Sequence, residues 1–136
     1  MCLNLFDGPI PGGLQDFIRI TTIDVHNNYF TGTLPPWFGT APRLETLLIR
    51  HNYFYGNLDL VFDTLLFNQS IEVIDISNNL FSGSLPRALF KMKRTKSIDA
   101  SSNCFSGHFP LEICDAESLE VLVLGALSMQ QRYSIK

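Results

Sequence analysis

The stretch Ile74-Asp75-Ile76-Ser77-Asn78-Asn79-Leu80-Phe81-Ser82-Gly83-Ser84-Leu85-Pro86 decides how this chain folds. Ile74 and Ile76 alternate with polar residues, the period-two pattern of a short strand buried on one face. Asn79 follows where the chain must turn, and its amide can donate to and accept from backbone groups that a turn leaves unpaired. Gly83 permits the backbone of the next turn, and Pro86 fixes the dihedral after it. Working outward, the same skeleton returns as Ile23-x-Val25-x-x-Asn28-x-Phe30-x-Gly32-x-Leu34-Pro35. It returns again as Leu47-x-Ile49-x-x-Asn52-x-Phe54-x-Gly56-x-Leu58, with Asp59 in place of proline, and as Ile98-x-Ala100-x-x-Asn103-x-Phe105-x-Gly107-x-Phe109-Pro110. Partial copies stand at Asn4-x-Phe6-x-Gly8-x-Ile10-Pro11 and at Leu119-x-x-Leu122-x-Leu124, where Leu127 takes the asparagine position.

The asparagines stand 24 residues apart from Asn4 to Asn28, from Asn28 to Asn52 and from Asn79 to Asn103. Asn52 and Asn79 are 27 apart, which places three extra residues within 60–70. Between the strands, apolar residues at about every third position suit short 3₁₀ or irregular helical turns. One such unit cannot bury its apolar face alone, so the units must stack, about 4.8 Å apart. Stacking lines up Phe6, Phe30, Phe54, Phe81 and Phe105 as an internal column of rings. It lines up Asn4, Asn28, Asn52, Asn79 and Asn103 as a structural ladder. The weak unit with Thr95 and Ala100 at apolar positions is the expected soft spot.

Composition narrows the function. The 136 residues (15.4 kDa) are 46% hydrophobic and 17% charged, which describes a packed module rather than a disordered one. A net charge of −3 leaves little for counterion-release binding, so no nucleic-acid partner is expected. The longest apolar run, 121–127, is far short of a bilayer span, and Met1-Cys2-Leu3-Asn4 has no feature of a secretion signal. There is no G-x-S-x-G, Walker A, H-E-x-x-H or C-x-x-C, and His26, His51 and His108 share no metal-ligand spacing. No catalytic residue, metal or cofactor is therefore assigned, and the chain is read as a non-enzyme.

These units resemble the leucine-rich-repeat family, in its plant-type form L-x-L-x-x-N-x-L-x-G-x-I-P, over nearly the whole chain. Thr31-Gly32-Thr33-Leu34-Pro35 and Ser82-Gly83-Ser84-Leu85-Pro86 carry the element that defines that form. The resemblance implies an α/β architecture: a right-handed solenoid with a parallel sheet on its concave side, extra short strands, and short helical turns on the convex side. The solenoid is expected over residues 1–127, as about four complete repeats with a partial one at each end, followed by an irregular tail at 128–136. Such repeats are typical of ectodomains of plant receptor-like kinases and receptor-like proteins, which bind protein or peptide ligands at the cell surface and signal. A co-receptor is a further implied partner. Met1 already stands in strand register, so the chain reads as an internal piece of a longer protein or as a truncated gene model; the resemblance implies that the parent protein is extracellular and membrane-anchored.

Function in a solenoid lives on the solvent face of its strands. The expected ligand-binding residues are Asp24, His26, Leu48, Arg50, Asp75, Ser77 and Asp99, with His26, Arg50 and His51 forming a mixed patch opposite Asp75 and Asp99. Asn68-Gln69-Ser70 is an N-glycosylation acceptor placed in the irregular unit. Cys104 and Cys114 either form a disulfide, as capping segments of this family often do, or remain buried thiols. Arg87, Lys91, Lys93, Arg94 and Lys96 make a basic cluster on the outer turn, read as a solvated surface or an anion contact. Trp37 is read as convex-side packing. Two other functions stay open: a secreted inhibitor of a cell-wall hydrolase, and a structural spacer without activity of its own.

Overall fold

The computed structural model describes residues 4–12, 19–65 and 70–125. Each repeat contributes two short strands. The first strands, β2 (Thr22–Asp24), β4 (Thr46–Leu48), β6 (Val73–Asp75), β8 (Ser97–Asp99) and β10 (Val121–Val123), form one parallel sheet in the order β2-β4-β6-β8-β10. The second strands, β1 (Asp7–Pro9), β3 (Tyr29–Gly32), β5 (Tyr53–Gly56), β7 (Leu80–Gly83) and β9 (Cys104–Phe105), form another in the order β1-β3-β5-β7-β9. All pairings are parallel between successive coils. The second sheet is the set of extra short strands that the plant-type unit implies.

The third side of each coil is helical and short. It holds α1 (Trp37–Thr40), α2 (Asp59–Leu65) and 3₁₀ turns at Arg87–Phe90 and Leu111–Asp115. The longest of these, α2, belongs to the 27-residue unit, so part of the insertion lengthens this helix.

The core is a set of columns. Ile23, Leu47, Ile74 and Ile98 share register across β2, β4, β6 and β8, and all are buried. Phe30 stacks on Phe54 at 6.1 Å and Phe54 on Phe81 at 6.3 Å, both pairs within 7° of parallel. Phe54 and Phe81 are fully buried. Each such side chain is worth roughly 2–3 kcal/mol of burial. Phe6 departs from the expected internal column: it packs on Phe30 at 6.1 Å but is 61% exposed, because it stands at the edge of the described stack.

The unit with Thr95 and Ala100 is packed rather than soft. Thr95 is buried and its hydroxyl donates to the Ile71 carbonyl at 3.1 Å, while Ala100 is 3% exposed. A hydrogen-bonded hydroxyl thus replaces the missing apolar contact.

The backbone repeats one more feature. The residue before Asn28, Asn52, Asn79 and Asn103 is left-handed in each case: Asn27, His51, Asn78 and Ser102 have φ between 52° and 54°. This single αL residue turns the chain from the first sheet to the second.

Candidate ligand-binding face

Strand register brings Asp24, Leu48, Asp75, Asp99 and Val123 into one row across the first sheet. Next to it runs the row His26, Arg50, Ser77, Ser101. The two rows are coupled by a repeated local bond, in which an aspartate oxygen accepts from the residue two positions on. Asp75 Oδ1 accepts from the Ser77 amide at 3.1 Å and its hydroxyl at 2.6 Å. Asp99 Oδ1 accepts from the Ser101 amide at 2.9 Å and its hydroxyl at 2.6 Å. Asp24 Oδ1 accepts from the His26 amide at 3.2 Å and bonds its Nδ1. The side-chain bond to His26 holds the Asp24 carboxyl below its usual pKa, against a smaller desolvation effect that raises it. Nearby Arg50 adds to the lowering.

The middle of the face is an ion pair. Arg50 Nη1 donates to Asp75 Oδ2 at 3.1 Å, with side-chain exposures of 40% and 13%. Arg50 therefore presents its remaining donors to solvent, whereas Asp75 and Ser77 are buried. Register makes both outward ligand contacts by expectation, but their polar atoms are spent on one another and on Arg50. Asp24, His26, Leu48, Arg50 and Asp99 remain wholly or partly open. The expected mixed patch is split, because His26 is taken by Asp24 and Arg50 by Asp75. His51, at its left-handed position, lies off this face in a groove beside Tyr29 and Tyr53.

The ladder asparagines bind the coils to each other. The side-chain oxygens of Asn28, Asn52, Asn79 and Asn103 accept from the amides of Phe6, Phe30, Phe54 and Phe81 at 3.0–3.1 Å. Their Nδ2 groups donate to carbonyls of their own coil and the preceding one, so Val25, Ile49 and Ile76 each accept from two successive asparagines. Asn4, at the edge, is exposed.

The remaining sequence-derived sites fall as follows. Cys104 and Cys114 are free and exposed, neither disulfide-bonded nor buried. The inward neighbours Phe105 and Ile113 pack on the core, so the cysteines beside them turn outward. Asn68 lies outside the described residues. The basic cluster is met by acidic partners: Arg94 and Lys96 each reach Glu72 at 2.8 Å, and Arg87 and Lys91 lie 3.8 and 4.0 Å from Glu112. Lys96 chiefly, then Arg94, holds the Glu72 carboxyl below its usual pKa. Trp37 is buried and stacks on Phe38 at 4.2 Å. No group of three or more His, Cys, Asp or Glu that could hold a metal occurs among the described residues.

Two stretches, 19–41 and 70–92, match the family model described as Leucine Rich Repeat. Both stretches are leucine-rich repeats. No curated protein matches it by sequence. Solved structures with the same coil geometry include the plant peptide hormone receptor RGFR1 in complex with RGF2, at TM-score 0.81 and 28% identity over 90% of this chain and 19% of that one. A second is PEPR1 with AtPEP1, at TM-score 0.82 and 30% identity over 89% of this chain and 17% of that one. A third is the Arabidopsis receptor kinase HAESA with the peptide hormone IDA and the co-receptor SERK1, at TM-score 0.79 and 31% identity over 93% and 21%. The leucine-rich-repeat chain thus spans about a fifth of the length of each. Among the described residues, no helix is long and apolar enough to cross a membrane.

Register already aligns Asn27, His51, Asn78 and Ser102; sequence reasoning missed their left-handed conformation and the Tyr29–Tyr53 stack at 6.0 Å. The repeated Asn-Tyr at 28–29 and 52–53 was the visible signal of the tyrosine stack.

Proposed function

We propose that this chain is a ligand-binding segment of the extracellular part of a receptor-like surface protein, with residues 1–127 forming one solenoid and 128–136 a tail. Its concave sheet recognises a peptide or protein. One observation carries the reading: register sets Asp24, His26, Arg50 and Asp99 in adjacent rows on one open face, with Arg50 oriented by a buried acid and its other donors free. Internal pairing removes the rotational freedom that a binding side chain must otherwise lose, so such a face is preorganised. The likeness to receptors solved with peptide hormones, at 28–31% identity, supports the same reading.

Panning a phage-displayed random peptide library on the full chain tests it. Enriched peptides should lose binding to Arg50→Glu and Asp24→Ala but keep it for Arg87→Glu on the helical side. Failure to enrich any peptide, or enrichment indifferent to Arg50 and Asp24, would refute the proposal.

A further inference from the structure

We propose that the groove beside the Tyr29–Tyr53 stack is a second binding site, for a neutral oligosaccharide. The groove encloses about 520 Å³ and lies between the left-handed row and the second-sheet row. Two features define its chemistry. Tyr29 and Tyr53 are about half exposed and stack at 6.0 Å and 12°, a rigid apolar ladder with hydroxyls at its tips. Alongside them, the side chains of Asn27, His51 and Asn78 make no hydrogen bond among the described residues, although their backbone N–H groups are all bonded. Asn28 and Asn52, which also line the groove, are spent on the ladder.

Charge chooses the occupant. None of the nine lining residues carries a carboxylate, ammonium or guanidinium, whereas the concave face one row away is rich in them. A charged ligand would lose hydration here and gain no ion pair. A sugar presents C–H faces, which suit the negative faces of aromatic rings, and paired hydroxyls, which suit an amide that both donates and accepts. The two rings stand 6.0 Å apart, a distance comparable to one sugar residue of a linear chain, so two successive residues meet equivalent rungs. This site stands apart from the concave reading and does not depend on it.

The test is a ¹⁵N NMR titration of the full chain with cellohexaose, mannohexaose and, as the charged comparison, hexagalacturonate. Either neutral sugar should shift the Asn27 and Asn78 side-chain amides. Tyr53→Ala should weaken that binding about tenfold, and Tyr53→Phe, which keeps the ring, should cost less than about threefold. Asn78→Gly removes an amide while keeping a residue at ease with positive φ, so a loss of affinity there is not a folding defect. Absence of shifts with both neutral sugars, tighter binding of hexagalacturonate, or affinity unchanged by Tyr53→Ala would overturn the proposal. So would a protein partner captured through Tyr53 when neither sugar binds.

Discussion

Replacing Asn79 with alanine should remove a large share of the stability of this stack, and the structure says why. Asn79 is 5% exposed and serves four backbone groups. Its oxygen accepts from the Phe54 amide at 3.1 Å, and its Nδ2 lies 3.0–3.2 Å from the carbonyls of Ile49, Ile76 and Ser77. The carbonyls would not be stranded: Ile49 keeps Asn52, Ile76 keeps Asn103, and Ser77 keeps the His51 amide. The Phe54 amide has no such substitute, and an orphaned buried N–H costs about 1–3 kcal/mol. Its Nδ2 has two N–H donors shared among the three carbonyls, and adding about 1 kcal/mol for each donor gives about 3–5 kcal/mol, against the 5–15 kcal/mol typical of a whole domain. Urea unfolding followed by circular dichroism reads this as a lowered midpoint. Asn79→Asp separates the two contributions. At neutral pH it offers Phe54 an acceptor but turns a charge towards three carbonyls, so it should be at least as damaging and should recover in acid as its proton returns. A cost below about 1 kcal/mol for Asn79→Ala would refute the ladder as the element joining the coils.

Three further outcomes follow from the same geometry. Gly56→Ala should cost about 1–3 kcal/mol by thermal unfolding, since Gly56 has φ 96° and an added Cβ would meet Thr33 Cγ2 at 3.0 Å. Adding Thr33→Ser should recover only the contact part. Ser102→Asn should raise stability by about 0.5 kcal/mol in urea, because asparagine accepts the left-handed backbone more readily than serine, and a loss would contradict the αL assignment. Asp24 and Glu72 both have carboxyls held below their usual values, so their contribution is fully present above the unfolded carboxylate range, about pH 4, and is lost as pH falls through the lowered folded values. Asp24→Asn and Glu72→Gln should therefore each flatten the acid limb of the stability profile, and an unchanged limb would argue against the pairing.

Much of the architecture was legible because the recurrent Asn, Phe and Gly have jobs that do not depend on distant contacts: satisfying a turn, filling a column, permitting a positive φ. The rows of the concave face were legible too, since strand alternation fixes which residues share a side. What could not be read was occupancy within that face. Asp75 and Ser77 occupy outward positions by register yet are buried: Arg50 of the neighbouring coil pairs with Asp75, and Asp75 takes the Ser77 hydroxyl, a cross-coil arrangement that no local pattern encodes. The cysteines were misjudged for a similar reason: their spacing of ten residues is compatible with a bond, but the inward turn of Phe105 and Ile113 points both thiols outward. The groove escaped notice because its left-handed row mixes Asn, His and Ser, which share a conformation rather than a chemistry.

The most direct test of the central claim is to map, by backbone amide shifts, where a library-selected peptide touches the protein. The account predicts shifts concentrated at Asp24, Arg50 and Asp99 and their strand neighbours, with the 3₁₀ turns at Arg87–Phe90 and Leu111–Asp115 unmoved. Shifts confined to those turns, with the first sheet silent, would contradict it.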